Sequence, residues 1–335
     1  MPNVLFTQRC VRSCPYCFAK KHMSDSSPDD TISWENLIYL ADFFESSGER
    51  GFSILGGEPT LHPGFLDMVL YLIERRFDIR VFTSGVVSPR LVDDMTAAVE
   101  DIPMQRLSFI CNVNNPEQTP PGSGELESVQ RFLEAFGERV VPGFNIYHPD
   151  FRLDFIFDYI NRYGLRRSMR LGLAHPIPGK QNLYVGLDQM EATIARLFEY
   201  APLFERMRVA PGLDCGFPLC KFTDDQLLWF YRYGGNDSRF GCGPVLDIGP
   251  DMSLWQCFPL SGYHKRSVFE FDNVEQMQEY YRRITSKVRM ESSGPFLDCD
   301  TCHYRQIERC AGGCLAHMLN AFQDEPRIRV TEVYP

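Results

Sequence analysis

The sequence predicts an α/β fold: an open, partial (β/α)6 barrel followed by a small cysteine-rich domain. Up to about residue 205, short β-branched or aromatic runs alternate with longer helical patterns, which is typical of βα units around a parallel sheet. Beyond that point glycine, proline and cysteine become frequent and long amphipathic runs become rare. Six βα units are too few to close an eight-stranded, TIM-like barrel. We therefore expect a barrel over 1–205, a bridging segment over 206–241 and a C-terminal auxiliary domain over 242–335.

Short β-forming runs mark the predicted strands, which span 3–7, 52–56, 79–83, 106–112, 140–147 and 169–175. After the first strand, four apolar residues recur with helical spacing, namely Leu37, Leu40, Ala41 and Phe44. Ser33 is the expected N-cap of this helix, and Ser47-Gly48 is expected to end it. Further helices are expected to begin near Pro63, Ser88, Glu125, Asp150 and Leu187.

Composition limits the class of protein. The chain has 335 residues, 44% of them hydrophobic, which is enough for one large core and a smaller attached unit. A net charge of −10 argues against a broad basic surface for nucleic acid or anionic lipid. No apolar run approaches the roughly 20 residues of a membrane span, and the N-terminus lacks a secretory pattern. We expect a cytoplasmic protein with no membrane partner, in which twelve cysteines serve as metal ligands rather than disulfides.

Three cysteines directly follow the first predicted strand, in the sequence RCVRSCPYCFA. They are Cys10, Cys14 and Cys17, at the edge of the sheet where α/β barrels carry their chemistry. A four-iron cluster held by three thiolates leaves one iron open, and that iron can chelate the amino and carboxylate groups of a small amino acid. A structural zinc site is the alternative, although such sites usually show paired Cys-x2-Cys knuckles.

This loop, with the aromatic Tyr16 before its last cysteine, resembles the signature of the radical S-adenosylmethionine (radical SAM) superfamily. The resemblance implies a [4Fe–4S] cluster whose open iron binds the methionine moiety, with Tyr16 near the adenine. It further implies that one electron, from a flavodoxin- or ferredoxin-like donor, cleaves the sulfonium to give a 5′-deoxyadenosyl radical. S-adenosylmethionine is therefore the second expected cofactor.

The second predicted strand ends in Gly56-Gly57-Glu58-Pro59. Taken alone, this tetrad indicates only a strand-to-helix turn. Because it comes after the cysteine loop and follows a strand, it resembles the superfamily's GGE motif, whose backbone and acidic side chain receive the methionine ammonium. The resemblance also implies contacts to the ribose and the methionine carboxylate from polar strand ends, namely Thr83, Ser84, Asn112, Asn114 and Arg170. Ordinary polar strand ends, or an arginine paired with an acid, are the structural alternative.

Other single residues are open to two interpretations. His148 and His175 fall at strand ends, where each is a candidate either to bind substrate and move a proton or to cap the backbone. Asp214 is a candidate base beside Cys215 or a turn-forming aspartate. Cys111 is interpreted as a buried apolar residue. No catalytic acid or base is assigned.

The C-terminal half holds eight cysteines, namely Cys215, Cys220, Cys242, Cys257, Cys299, Cys302, Cys310 and Cys314. The last four, together with the expected hairpin FGCGPVLDIGPDMSLWQC, resemble the SPASM or twitch-like extension of radical SAM enzymes, which carries auxiliary four-iron clusters. The sequence departs from that pattern in three ways. The third gap is x7 instead of x5, Met252 replaces a common glycine, and no cysteine follows Cys314.

Eight thiolates would satisfy two clusters of four iron atoms. We expect the first auxiliary cluster at Cys220, Cys242, Cys257 and Cys314. We expect the second at Cys215, Cys299, Cys302 and Cys310. A single auxiliary cluster and a zinc site in the tail are the alternatives.

The sequence is compatible with three functions. SPASM-bearing relatives frequently act on ribosomally made peptides or on sulfatases, which implies maturation of a peptide or protein. Because the sequence starts at its first strand, the winged-helix-like module that many such relatives use to hold a leader is not expected. The second hypothesis is a dehydrogenase or epimerase of a sugar or antibiotic precursor. The third is a non-catalytic iron–sulfur electron carrier or a zinc scaffold.

Overall fold

The computed structural model describes residues 1–17, 19, 30–120, 122–178, 182–234, 240–291 and 294–322. The strands are β1 (Asn3–Thr7), β2 (Gly51–Gly56), β3 (Asp78–Thr83), β4 (Leu107–Asn112), β5 (Val140–Ile146), β6 (Ser168–Leu173), β7 (Ala210–Leu213), β8 (Asp247–Ile248), β9 (Ser253–Trp255) and β10 (Arg266–Ser267). They form one sheet in the order β10-β9-β8-β1-β2-β3-β4-β5-β6-β7.

The α-helices of the described residues cover the parallel strands and extend into the C-terminal part. They are α1 (Trp34–Ser46), α2 (Phe65–Glu74), α3 (Pro89–Val99), α4 (Glu125–Phe136), α5 (Asp154–Tyr163), α6 (Met190–Phe198), α7 (Ala201–Met207), α8 (Asp224–Tyr233), α9 (Val274–Glu291), α10 (His303–Gln306) and α11 (Leu315–Phe322). None of these helices is both long and apolar enough to cross a membrane.

Strands β1 to β7 are parallel and adjacent in chain order, which confirms the predicted partial α/β barrel. The six expected strands lie within two residues of their predicted bounds. The seventh, β7, was not predicted, because its four residues Ala-Pro-Gly-Leu lack a β-branched or aromatic signal. An edge strand tolerates Pro211, since its backbone needs a hydrogen-bonding partner on one side only.

The C-terminal hairpin extends the opposite edge of the same sheet. Strand β8 runs parallel to β1, and the side chain of Asn3 donates a hydrogen bond to Asp247 Oδ1 at 2.7 Å. Strand β9 returns antiparallel to β8, as the expected hairpin requires. Met252 in its turn has a φ of +64°, the left-handed conformation for which glycine is favoured, and its side chain is buried. The division into three segments stays a prediction.

Local sequence signals correctly predicted where most of the helices begin. The side chains of Ser33 and Ser88 accept hydrogen bonds from the first turns of α1 and α3, as N-caps do. Helix α5 begins at Asp154 rather than near Asp150, because Phe151 and Leu153 pack into the core before the helix starts. Helix α2 begins at Phe65 after a 3-10 turn over Pro59–Leu61, and a similar turn over Leu187–Gln189 precedes α6.

Candidate active site

The cysteine loop follows β1 at the carboxyl edge of the parallel strands. Its three thiols are half-buried, and a turn closes the loop where the Cys17 N–H donates to the Cys14 carbonyl at 3.1 Å. Burial raises the pKa of the Cys10 thiol to about 11, and the negative charges of Glu58 and the two other cysteines add to this effect. A metal ligand must be deprotonated, so binding of iron here would release protons.

The Gly56-Gly57-Glu58-Pro59 tetrad lies directly against this loop. The Gly57 N–H donates to the Thr7 carbonyl at 2.9 Å, and the Glu58 N–H donates to the Arg9 carbonyl at 2.7 Å. A Cβ atom at Gly56 would lie 2.3 Å from the Thr7 carbonyl oxygen, and one at Gly57 would lie 2.2 Å from that of Arg9. Both glycines are therefore required by close backbone approach. The two sequence motifs form one site.

Glu58 is fully buried behind this junction. Its carboxylate accepts hydrogen bonds from Thr60 Oγ1 at 2.8 Å, from Thr83 Oγ1 at 2.9 Å and from the Ser84 N–H at 2.7 Å. These donors are neutral, so they orient the carboxylate without cancelling its charge. Such a carboxylate suits a cationic group. Thr83 and Ser84 contact the carboxylate directly, through hydrogen bonds.

Arg12 anchors the cysteine loop to the neighbouring elements, a role that we did not anticipate. Its guanidinium donates to the Asn112 carbonyl at 2.7 Å and forms an ion pair with Glu125 at 2.7 Å. The Arg12 side chain is 6% exposed, so solvent screens this pair only weakly. The loop is thereby tied to the end of β4 and to the start of α4. The position of Arg12 inside the cysteine motif was the sequence signal that could have revealed this role.

Tyr16 forms part of an aromatic wall at the same edge. Its ring stacks on Tyr147 with centroids 4.9 Å apart and an interplanar angle of 21°. Its hydroxyl donates to Asn114 Oδ1 at 3.2 Å, and burial raises its pKa. Tyr16 therefore stays neutral and presents a planar surface; its contact with adenine stays a prediction.

Arg170, within β6, joins residues at the ends of β4, β5 and β7 in one polar network. Its guanidinium donates to Asn112 Oδ1 at 3.1 Å and to Asn145 Oδ1 at 3.3 Å, and it forms an ion pair with Asp214. The side chain of Asp214 is therefore the counter-ion of an arginine, and its predicted roles as a base or in a turn stay predictions. Asn145 was missed, although its place near the end of a predicted strand was a usable signal.

The two candidate histidines differ in environment. His148 is exposed, and its Nδ1 accepts a hydrogen bond from the Asp150 N–H at 3.1 Å, which is a capping role. His175 is buried, and its ring lies edge-on to that of His317 with centroids 5.7 Å apart. Burial lowers the pKa of His175 to about 4 and that of His317 to about 3. Cys111 is fully buried beside Gly85, as expected of an apolar residue.

The C-terminal thiols fall into two groups of four. The first, here called the upper thiol group, comprises Cys215, Cys242, Cys257 and Cys314. Cys242 and Cys257 pack against the small core that contains Cys314. A Cβ on Gly313 would lie 3.1 Å from the Gly216 carbonyl oxygen, which places Cys215 beside the same segment. Burial and the neighbouring thiols raise the pKa of Cys257 and Cys314.

The second, here called the lower thiol group, comprises Cys220, Cys299, Cys302 and Cys310. The Lys221 Nζ lies 4.7 Å from the centroid of the Phe296 ring, which brings Cys220 to the segment of Cys299. Relative to our expectation, Cys215 and Cys220 exchange places. The reason is the turn between them, where Gly216 has a φ of +109° and directs the two cysteines to different neighbours.

These donor sets suit iron–sulfur clusters in the chemistry of their ligands. Three thiols with a fourth position open, and two sets of four thiols, are the numbers that such clusters use. Across the described ranges, no three or more His, Cys, Asp or Glu side chains are arranged to hold a single metal ion.

Part of the chain matches a known protein family. Residues 4–109 match the Radical SAM superfamily. A probable GTP 3′,8-cyclase of Archaeoglobus fulgidus is 24% identical over 207 residues, which is 58% of this chain and 67% of that protein. An S-adenosylmethionine-dependent nucleotide dehydratase of Selenomonas ruminantium is 28% identical over 127 residues, which is 35% of this chain and 44% of that protein. The chain thus spans less than half of the second relative.

Solved structures share the fold over nearly the whole chain. Native anSMEcpe with bound AdoMet superposes with a TM-score of 0.66 at 15% identity, over 94% of this chain and 90% of that one. Streptococcus suis SuiB bound to the precursor peptide SuiA gives a TM-score of 0.64 at 13% identity, over 97% of this chain and 73% of that one. The matched residues 4–109 contain both the cysteine loop and the GGEP tetrad that packs on it, so this part of the chain is a radical SAM domain.

Proposed function

We propose that this protein is a radical SAM enzyme that abstracts hydrogen from a peptide or protein substrate and so matures it, as in ribosomal-peptide or sulfatase modification. The observation that carries the proposed chemistry is the backbone pairing of Gly57 and Glu58 with Thr7 and Arg9. This pairing joins the predicted cluster loop to the predicted methionine site. Both motifs of the superfamily therefore lie where one cofactor can meet them.

Each residue of the site has a proposed role. Cys10, Cys14 and Cys17 hold a [4Fe–4S] cluster, which with bound S-adenosylmethionine would supply the 5′-deoxyadenosyl radical. Gly56, Gly57 and Pro59 shape the backbone that receives the methionine ammonium, and Glu58 supplies the negative charge. Thr83 and Ser84 orient that carboxylate.

The remaining polar residues at the strand ends would position the rest of the cofactor. Tyr16 provides a flat surface for the adenine. Asn112 and Arg170, already joined by a hydrogen bond, orient the methionine carboxylate or the ribose.

We further propose that the two C-terminal thiol groups bind auxiliary [4Fe–4S] clusters, as in a SPASM domain. The four-by-four grouping of the thiols supports two clusters over one. These clusters would pass on the electron that remains after hydrogen abstraction, and a flavodoxin- or ferredoxin-like protein would reduce the first site. The segments 1–205, 206–241 and 242–335 are our proposed barrel, bridge and auxiliary domain.

The peptide assignment is supported by likeness of fold. The SuiB structure that superposes on 97% of this chain contains a precursor peptide. The likeness extends past the barrel, so it includes the cysteine-rich part of the chain.

A small-molecule substrate is the second candidate. The curated relatives are named for reactions of GTP and of a nucleotide, and their matches cover 58% and 35% of this chain. A nucleotide or another small metabolite would suit an enzyme in which the barrel mouth itself binds the substrate.

Cleavage of S-adenosylmethionine tests the proposed chemistry. Anaerobically reduced parent protein is expected to bind about twelve iron atoms and to release 5′-deoxyadenosine. Cys14→Ala is expected to abolish release, whereas Cys302→Ala should retain it while blocking product formation. The matched control is Cys111→Ala, which removes a buried thiol outside all three groups. Equal release by Cys14→Ala and the parent would refute the site, and about eight iron atoms would refute two auxiliary clusters.

A separate experiment distinguishes the two substrate classes. The reduced enzyme is incubated with the peptide fraction and with the small-metabolite fraction of one cell extract, and each is analysed by mass spectrometry. Loss of hydrogen or a new cross-link in a peptide supports peptide maturation. A change confined to the metabolite fraction would overturn it in favour of the second candidate.

A further inference from the structure

Three side chains near the upper thiol group carry buried polar atoms without a hydrogen-bond partner in the described part of the chain. They are Arg289 through Nε and one terminal nitrogen, Gln256 through Nε2 and His317 through Nε2. A buried polar group left without a partner costs about 1–3 kcal/mol, and native proteins contain few of them. Their concentration in one place indicates a group rich in hydrogen-bond acceptors.

Sequence adjacency and a backbone hydrogen bond place two of these residues next to cysteines of the upper thiol group. Gln256 directly precedes Cys257. The His317 N–H donates to the Cys314 carbonyl at 3.1 Å, so residue 317 lies one turn of backbone beyond that cysteine. Both side chains are more than nine-tenths buried. Neither can satisfy its free nitrogen with solvent.

Helix α9 brings Arg289 to the same place. Thr285 Oγ1 donates to Gln256 Oε1 at 2.7 Å, and Val288 packs against the small core that contains Cys314. Residues four apart share a helix face, so Arg289 lies one turn beyond Thr285 and on its side. The Arg289 carbonyl accepts a hydrogen bond from Arg305 at 2.6 Å, which holds this end of α9 against α10.

The charge of Arg289 suits an anionic neighbour. Its guanidinium is close enough to Cys314 to interact with that thiol electrostatically. A cluster bound by four thiolates is anionic and offers sulfur acceptors on every side. Planar guanidinium groups are well suited to several such hydrogen bonds at once.

We propose that Arg289, assisted by Gln256 and His317, donates hydrogen bonds to an iron–sulfur cluster at the upper thiol group and thereby raises its reduction potential. This inference rests on the proposed function, since it requires that cluster. The reduced cluster carries one more negative charge than the oxidised cluster, so a cation and N–H donors stabilise the reduced form more. Arg289 is accordingly a positioning and tuning residue; it is not a catalytic residue.

The reduction potential of the cluster tests this inference. Full-length parent, Arg289→Met, Arg289→Lys and Gln256→Leu are reconstituted anaerobically and titrated electrochemically with electron paramagnetic resonance detection. At the parent's midpoint, Arg289→Met is expected to lower the ratio of reduced to oxidised cluster at least tenfold, which is about 59 mV for one electron. Arg289→Lys keeps the charge and loses the planar donor group, so its shift should be smaller. Gln256→Leu is also expected to lower the ratio.

Exposed Arg283 lies on the same helix and provides the matched control. Arg283→Met is expected to leave the midpoint unchanged. Full iron content with identical midpoints in parent, Arg289→Met and Arg283→Met would overturn the inference. If Arg289→Met loses iron, Arg289→Lys and Gln256→Leu decide, because lower midpoints support the inference and unchanged midpoints overturn it.

Cys242→Ala separates this inference from the proposed function. It is expected to remove one signal and about four iron atoms, whereas Cys302→Ala should leave that signal in place. If the parent has no signal that depends on Cys242, the proposed auxiliary cluster is absent and the proposed function fails at that point. If the signal exists and is insensitive to Arg289 and Gln256, only the tuning role fails.

Discussion

At the scale of single residues, Glu58 depends on partners that are distant in sequence. Thr83 and Ser84 lie 25 and 26 residues away, and they reach its carboxylate because β2 and β3 are neighbours whose ends meet at one edge. Burial excludes water from the carboxylate. The GGEP motif therefore needs the end of β3, the next strand of the sheet, to form a charged site.

Replacement of Glu58 by glutamine should separate the effect of the negative charge of this side chain from the effect of its shape. Glu58→Gln turns an amide N–H2 toward the Thr83 or Ser84 donors, which is expected to cost about 1–3 kcal/mol of unfolding free energy. Affinity for S-adenosylmethionine should fall at least tenfold, since the ammonium loses its counter-charge. Equilibrium binding and denaturant unfolding measure the two effects. Exposed Glu134→Gln is the control, and unchanged affinity in Glu58→Gln would contradict the assignment.

At the scale of elements, the site is built where loops leave adjacent parallel strands. The loop after β1 carries the cysteines, the loop after β2 carries Glu58, and Arg12 ties the first loop to the end of β4. The backbones of the first two loops touch at Gly57 and Arg9. Small changes in the backbone of either loop should therefore weaken binding of the cluster.

Gly57→Ala tests this dependence. The added methyl group would lie 2.2 Å from the Arg9 carbonyl oxygen, which is backbone and has no rotamer with which to move away. We expect the loop to shift, about four iron atoms to be lost and 5′-deoxyadenosine release to fall at least tenfold. Iron analysis and product assay check both outcomes. Gly262→Ala, which meets nothing within 4 Å, should behave as the parent; a fully active Gly57→Ala would show that the contact is dispensable.

His62 links the 3-10 turn after Glu58 to the start of the first helix. Its Nε2 is 2.9 Å from the Ile32 carbonyl oxygen, and its Nδ1 accepts from the Gly64 N–H at 3.0 Å, so the folded state requires the neutral ring. Burial lowers the pKa of His62. The unfolded chain therefore binds the proton more readily, and stability is lost as pH falls below the ordinary histidine range.

We expect the free energy of unfolding to fall less between about pH 7.5 and pH 5.5 in His62→Gln than in the parent, because the variant has no proton to take up there. Denaturant titrations at both pH values measure this difference. The same decrease in both proteins would assign the effect to other groups.

At the scale of the whole molecule, the two ends of the chain differ in how they are stabilised. The large core gathers residues from β1 to β7 and from the helices that cover them. The small C-terminal core consists of a few residues around Leu260, Cys314 and Leu319, and thiols form part of its surface. A core of that size stabilises little by itself, so the C-terminal part should depend on bound metal.

Removal of iron should therefore loosen one part of the molecule and spare the other. After chelation under reducing conditions, residues 294–322 are expected to lose most of their amide protection, whereas β2 to β5 should keep theirs. Hydrogen exchange followed by mass spectrometry resolves the two regions in one experiment, with the parallel strands as internal control. A uniform loss of protection would mean that the metal supports the whole fold.

The sequence alone determined the barrel, six of its parallel strands and the two motifs that meet at its edge, because alternating βα patterns and short ligand spacings are local properties. Only the tertiary structure decided the partners of Cys215 and Cys220, since a single turn at Gly216 directs them apart. The same holds for the Arg170–Asp214 ion pair, which joins residues 44 positions apart, and for Arg289, which no motif marks. Contacts of this kind depend on how strand ends and helix faces meet in space, and spacing along the chain carries no record of that.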